Sequence, residues 1–137
     1  MYIASNLLGV SSSPDKVDGQ KVFVYGSLRK GFGLSPVLSS SDYIETVKTK
    51  PKYTMYSLGA FPCIVKGGKT AIVGEIYSVS EEVERRLDMI EGVPQLYQKG
   101  KVEIDGYDNV VAYFMKKNKV NTLSVIETGD WSQWNWH

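Results

Sequence analysis

The chain has 137 residues, which fits one ordinary domain with enough buried surface for a core and one pocket. Its 16 basic and 15 acidic residues leave a net charge of +1, which argues against a domain that binds nucleic acid mainly through the phosphate backbone. One cysteine and one histidine are too few for an internal disulfide or a structural zinc site. No run approaches the ~18 apolar residues of a membrane span, and no positive charge precedes the mildly apolar start. We therefore expect a cytoplasmic protein without a membrane partner.

The first part of the chain differs in composition from the rest. Three serines and Pro14 are followed by a polar run that ends at Gln20. Such a composition is typical of a linker or a loosely held arm. We predict an N-terminal arm or linker over residues 1–20 and a domain over residues 21–137, and an extra docked strand is the alternative for the arm.

Strand patterns dominate the body of the chain. They cover residues 21–25, 52–58, 63–65, 71–79, 101–104 and 109–115. Gly67-Gly68 and Asp105-Gly106 are typical hairpin turns between successive strands of this set. The sequence therefore predicts a meander of antiparallel pairs, although the strand order in the sheet need not follow the chain.

One helix is well specified. Ser80 is a suitable N-cap, and Gly92 is suited to the position just beyond the helix end. The apolar stripe of this helix consists of Val83, Leu87 and Ile90. A weaker helix is predicted over residues 34–40. Strands with one or two helices indicate an α+β fold, in the form of a curled sheet or small barrel.

Glu91 is the most suggestive residue for chemistry. It continues the helix face of Val83 and Leu87, which should be buried, and it lies at the negative end of the helix dipole. Both features should raise the pKa of its carboxyl toward neutrality, as a general acid/base requires. The alternative is a solvated glutamate beyond a frayed helix end, or one that caps a nearby amide.

The segment Tyr25-Gly26-Ser27-Leu28 is the second candidate. Gly26 directly follows a buried strand and lets the backbone turn sharply, which would expose consecutive N–H groups to an anion. Ser27 adds a hydroxyl group. An ordinary strand-to-loop turn explains the same four residues, and on the residues alone it is the favoured interpretation.

The tail carries all three tryptophans, Trp131, Trp134 and Trp136. Aromatic clusters can stack on bases or sugars. We predict instead that the tail uses them to pin itself to the body of the domain.

Five segments together carry a family resemblance. They are residues 22–31 (Val-Phe-Val-Tyr-Gly-Ser-Leu-Arg-Lys-Gly), 58–62 (Leu-Gly-Ala-Phe-Pro), 73–79, 87–92 with 96–99, and 129–131. In this order they resemble the γ-glutamyl cyclotransferase-like superfamily, and within it the AIG2-like and γ-glutamylamine cyclotransferase branch. The resemblance implies an α+β fold around a small mixed β-barrel or curled sheet.

The resemblance also implies a function. A γ-glutamyl amine or γ-glutamyl amino acid would be converted to 5-oxoproline and a free amine by intramolecular acyl transfer, without a metal or an organic cofactor. By the family pattern Glu91 is the general acid/base. The substrate-binding residues would be Tyr25, Gly26, Ser27, Leu28 and Tyr97.

The partner implied by this reading is a small γ-glutamyl molecule, and not nucleic acid. A non-catalytic module that binds a small acidic ligand, or a protein-interaction module on the same fold, is the alternative function. The oligomeric state stays open between a monomer and a homodimer.

Overall fold

A computed structural model describes residues 19–33, 35–120 and 122–133, and these form two β-sheets and one α-helix. The strands are β1 Gln20–Val24, β2 Asp42–Lys48, β3 Tyr53–Ser57, β4 Pro62–Lys66, β5 Val73–Val79, β6 Gln98–Lys101, β7 Val110–Phe114 and β8 Ser124–Val125. The helix α1 is Glu81–Ile90, and short 3₁₀ helices cover Ser35–Leu38, Lys117–Lys119 and Trp131–Gln133. The predicted α+β class is confirmed.

The first strand lies at the centre of the larger sheet. The strand order of this sheet is β2-β5-β1-β7-β6, and that of the smaller sheet is β4-β3-β8. Val22 of β1 lies opposite Tyr77 of the antiparallel β5 and opposite Val111 of the parallel β7. The expectation of antiparallel pairs is therefore wrong for β1 and β7, because packing and not chain order selects the partner of a central strand.

The hairpin predicted across Gly67 and Gly68 is also wrong, since β4 and β5 belong to different sheets. Both glycines have positive φ angles, of 95° and 134°. The Gly67 N–H donates to the carbonyl of Lys52 at 2.9 Å, and a Cβ on Gly68 would lie 2.5 Å from the carbonyl oxygen of Tyr53. The turn thus folds back against the start of β3 and directs the chain into the other sheet.

Edge strands account for the other differences from the predicted elements. The strand predicted at 101–104 shares only Lys101 with β6, and β2 and β8 were not predicted. Most side chains of these three strands are exposed or half-buried, so they carry a weak apolar pattern. The weaker helix predicted over 34–40 is the 3₁₀ helix Ser35–Leu38.

The core lies on both faces of β1. Val22 and Val24 pack in one cluster with Leu87 of α1, whereas Phe23 packs in a second cluster with Trp131. Trp131 is 1% exposed, which confirms the predicted pinning for this tryptophan. Residues 134–137 of the tail and residues 1–18 of the predicted arm lie outside the described residues. In the described part of the chain, no helix combines the length and the apolar character needed to cross a membrane.

Candidate active site

One cleft brings together all six residues that the sequence predicts for the site. Its volume is about 150 Å³. The predicted residues that line it are Tyr25, Gly26, Ser27, Leu28, Glu91 and Tyr97. The other lining residues are Phe23, Val24, Phe61, Pro62, Ile90, Leu96 and Tyr113. The cleft therefore combines the end of β1 and its loop with the end of α1, the start of β4, and β7.

The loop after β1 lines the cleft and has backbone donors that no described group uses. A Cβ on Gly26 would lie 2.8 Å from the Pro62 ring, so only glycine allows the loop to approach β4 this closely. The Arg29 N–H closes a turn on the carbonyl of Gly26 at 2.9 Å. Among the described residues, no acceptor receives a hydrogen bond from the backbone N–H of Gly26, Ser27 or Leu28. Consecutive free N–H groups of this kind suit a carboxylate or a developing oxyanion.

A buried ionic network anchors the residues that follow this loop. The Lys30 N–H donates to Glu75 Oε1 at 2.9 Å, and Arg29 Nε lies 3.7 Å from Glu75 Oε2. Arg29 Nη1 also donates to Asp130 Oδ1 at 2.9 Å. Because Arg29 and Glu75 are buried, their charges are screened little by water, and the network fixes the loop to β5 and to the segment around Asp130.

The end of α1 places Glu91 in the cleft. The helix begins with the predicted N-cap, in which Ser80 Oγ accepts from the Val83 N–H at 3.2 Å. It ends with Gly92 at φ 65°, whose N–H donates to Met89, so that Glu91 occupies the C-cap position. The left-handed glycine stops the helix one residue after Glu91. The local sequence thus determines where this carboxyl lies.

Glu91 is half-buried where it lines the cleft. Within the described residues, no group donates a hydrogen bond to it. Burial raises the pKa of this carboxyl from its ordinary value of 4.5 to about 7. Near neutral pH the group can therefore both accept and release a proton.

Three tyrosines form much of the polar wall, and each hydroxyl is already bound. Tyr25 donates to the carbonyl of Tyr113 at 2.6 Å, and Tyr97 donates to the carbonyl of Pro62 at 3.0 Å. Tyr113 donates to Asp88 Oδ1 at 2.6 Å. Burial raises the pKa of all three hydroxyls above the usual value, so they stay protonated and act as a rigid neutral frame.

Several lining residues were missed from the sequence. Phe61 and Pro62 belong to a segment that carried the family resemblance, but nothing in it pointed to the site. Tyr113 lies in a buried stretch of β7, and nothing in the sequence distinguishes it from the buried residues beside it. Only the packing of β7 and β4 against the loop brings these side chains to the cleft.

The described residues contain no group of three or more histidine, cysteine, aspartate or glutamate side chains arranged to hold a metal ion. Cys63 is buried beside the cleft, and this burial raises the pKa of its thiol to about 12. The thiol therefore stays protonated and is a poor nucleophile.

Comparisons with known proteins place the fold in a family. Residues 22–133 match the family model described as gamma-glutamyl cyclotransferase, AIG2-like. The match covers most of the chain and includes every residue that lines the cleft. The chain belongs to the gamma-glutamyl cyclotransferase, AIG2-like family.

Individual relatives are similar over much of their length. A Vibrio cholerae protein named "Putative gamma-glutamylcyclotransferase" is 35% identical over 112 residues, which are 82% of this chain and 95% of that protein. A Methanocaldococcus jannaschii protein of the same name is 48% identical over 85 residues, 61% of this chain and 70% of that protein. The crystal structure of an uncharacterised Pyrococcus horikoshii protein superposes with a TM-score of 0.71 at 25% identity, covering 84% of this chain and 92% of that one.

Proposed function

We propose that this chain is a γ-glutamyl cyclotransferase that releases 5-oxoproline from a γ-glutamyl amide, with Glu91 as general acid/base. The observation that carries the proposal is the pairing of two unused groups in one cleft. Within the described residues, Glu91 is a half-buried carboxyl that receives no hydrogen bond, and the Gly26–Leu28 loop offers backbone N–H groups without acceptors. Polar groups left without partners in a concave, mostly apolar site indicate that a ligand completes them.

The reaction follows from these roles. The α-amine of the γ-glutamyl group attacks its own γ-carbonyl carbon, and a new C–N bond closes the five-membered ring. Glu91 accepts the proton that the attacking nitrogen loses. The bond to the leaving nitrogen then breaks as Glu91 returns the proton to that nitrogen, so no water is consumed. The loop N–H groups hold the glutamyl end of the substrate.

A single pKa near neutrality suits both halves of this cycle. A much stronger acid would accept the proton poorly, and a much weaker one would return it poorly. The value of about 7 at Glu91 lies between these limits. The rigid tyrosine frame keeps the carboxyl and the loop in a fixed relation, which supplies the proximity that an intramolecular attack needs.

The test is the substitution Glu91→Gln, which keeps the size of the side chain and removes its ability to move a proton. We expect the rate of 5-oxoproline release, followed by mass spectrometry, to fall by about 10²–10⁴-fold. Glu82→Gln is the matched control, because Glu82 is an exposed glutamate on the same helix. It should leave the rate unchanged.

Two outcomes would contradict the assignment. An active Glu91→Gln protein would show that another group moves the proton. An inactive variant that has lost its thermal unfolding transition would show that Glu91 is structural, and the ligand-binding module would then explain the cleft better.

A further inference from the structure

Lysines gather around two neighbouring hollows that lie outside the cleft. The hollows have volumes of about 240 and 380 Å³, share Lys66 as a lining residue, and have no lining residue in common with the cleft. Because the whole chain carries a net charge of only +1, this is a strong local concentration of positive charge. Six of the thirteen lysines of the chain line the two hollows and define the lysine site: Lys52, Lys66, Lys99, Lys101, Lys116 and Lys117.

Most of these lysines have no carboxylate partner. Lys52 is paired with Glu103 at 2.9 Å, and Lys99 is paired with Glu84 and Asp88 at 2.7 and 3.0 Å. No acidic side chain in the described part of the chain forms an ion pair with the other four, Lys66, Lys101, Lys116 and Lys117. The repulsion among these four charges is therefore not offset by the described residues, and an anion of about three to four charges would offset it.

Two glycines and an aromatic ring position two of the four ammonium groups. A Cβ on Gly67 would lie 3.0 Å from Lys117 Nζ, and a Cβ on Gly100 would lie 3.3 Å from Lys66 Nζ. Glycine at these positions thus leaves room for both lysines to lie against the backbone. Lys66 Nζ also lies 5.1 Å from the centre of the Phe114 ring, whose face attracts a cation. Both side chains are therefore partly ordered before a ligand arrives, which lowers the entropy that binding costs.

The residue types of the lining indicate the kind of anion. Within the described chain no arginine lines either hollow, and lysine offers a point charge in place of the planar fork that binds one carboxylate at two points. A single carboxylate would offset only one of the four free charges, whereas two or three linked phosphate groups carry about three to four charges near neutral pH. The aromatic lining residues, Tyr53 and Phe114, are both buried, so neither offers a ring face on which the bases of a nucleic acid could stack.

We propose that the lysine site binds the linked phosphate groups of a small molecule. Lys66 is the central contact because it lines both hollows, with Lys116 and Lys117 in one hollow and Lys101 in the other. No residue of the cleft takes part, so this inference is independent of the proposed function, and its test needs no turnover.

Titration of the full chain with inorganic triphosphate, followed by backbone amide shifts in NMR spectra, tests the site. We expect saturable shifts at Lys66, Gly67, Gly100 and Lys117, with binding about tenfold or more tighter than that of orthophosphate. The affinity should fall when salt is added, because exposed charges are screened. Shifts that do not saturate, or equal affinities for the two anions, would overturn the inference.

A matched pair of double variants locates the binding. Lys66→Gln with Lys117→Gln removes two charges from the lysine site and should weaken triphosphate binding by about tenfold. Lys30→Gln with Lys48→Gln removes the same net charge from lysines that line neither hollow, and it should leave the affinity nearly unchanged. All four side chains are exposed, so both variants should keep the fold. Equal losses would show that net charge, and not the site, attracts the anion, and would overturn the inference.

A second probe distinguishes the source of the phosphate groups. A single-stranded DNA of about ten nucleotides carries its phosphates along an extended backbone, and we expect it to bind more weakly than triphosphate at the same salt concentration. Tighter binding of the DNA, lost in the Lys66→Gln and Lys117→Gln double variant, would overturn the assignment to a small molecule and identify a nucleic-acid surface instead.

Discussion

Burial sets the sign of the contribution that Glu91 makes to stability. Its folded pKa of about 7 lies above the ordinary value of 4.5, so the folded state holds more protons than the unfolded state between these two values. The free energy of unfolding therefore falls as the pH rises through this window, and above it the full penalty of a partly desolvated charge is present. The raised pKa of Glu91 thus makes the protein less stable above neutral pH than below it.

This linkage gives a prediction for the Glu91→Gln variant. At pH 8 the variant should be more stable than the wild-type protein by up to about 3 kcal/mol, and near pH 4.5 the two should be almost equal. Urea unfolding at the two pH values measures the difference. A stability difference that does not change with pH would mean that the Glu91 carboxyl titrates at its ordinary value.

Gly26 is the second residue with a specific expectation. Gly26→Ala would place a Cβ 2.8 Å from the Pro62 ring, and relief of this clash should destabilise the protein by about 2 kcal/mol. Binding of 5-oxoproline, followed by backbone amide shifts, should weaken because the loop moves away from β4. Gly33→Ala is the control, since its Cβ would meet no atom within 4 Å. Equal effects of the two substitutions would show that reduced chain flexibility, and not the close approach to Pro62, causes the loss of stability and binding.

At the scale of elements, an ion pair joins the segment after β8 to the loop after β1. Asp130 Oδ1 accepts from Arg29 Nη1 and from the N–H of Ser132, both at 2.9 Å. Burial alone would raise the pKa of Asp130, but the hydrogen bonds from Ser132 and Arg29 outweigh it and lower the pKa. The stability that Asp130 adds is thus present above the ordinary pKa of 3.8 and is lost as the pH falls below it.

Because it is buried, the Arg29–Asp130 pair should contribute more to stability than an ion pair of equal length at the surface. Asp130→Asn should cost about 2 kcal/mol, because it leaves the buried Arg29 with Glu75 alone. Glu103→Gln should cost much less, since the Lys52–Glu103 pair has the same separation of 2.9 Å but is exposed to water, which screens its charges. Thermal unfolding at pH 7 measures both values. Similar losses would show that the Arg29 network is not shielded from water.

For the whole molecule, local patterns were predictable and long-range pairing was not. Ser80 and Gly92 determine where α1 begins and ends, and the apolar face of this helix already marked Glu91 as a residue that should be buried. The sequences of β1 and β7 do not indicate that the two strands pair in parallel, because both are simple apolar runs. The edge strand β6 was predicted at the wrong position, because it contains lysine and glycine and lacks a buried face.

The candidate site was also predictable only in its local features. Gly26 at the end of β1 and Gly92 at the end of α1 each predicted a turn beside buried residues. Both turns lie next to the cleft. The exposed apolar residues that line the cleft were not predictable, since Phe61 and Leu96 look like ordinary loop residues until packing brings them together.

The central position of β1 also determines when the cleft can form during synthesis. Its partner in β7, Val111, leaves the ribosome only after most of the chain has been made, and Asp130, which anchors Arg29, follows later still. Until then β1 and the loop after it lack their partners, and this apolar segment is prone to aggregation. Such non-local pairing also predicts folding in milliseconds to seconds and not in microseconds. The end of β1 and the Gly26–Leu28 loop are therefore the first parts of the cleft to be synthesised, and the loop is among the last to be fixed in place.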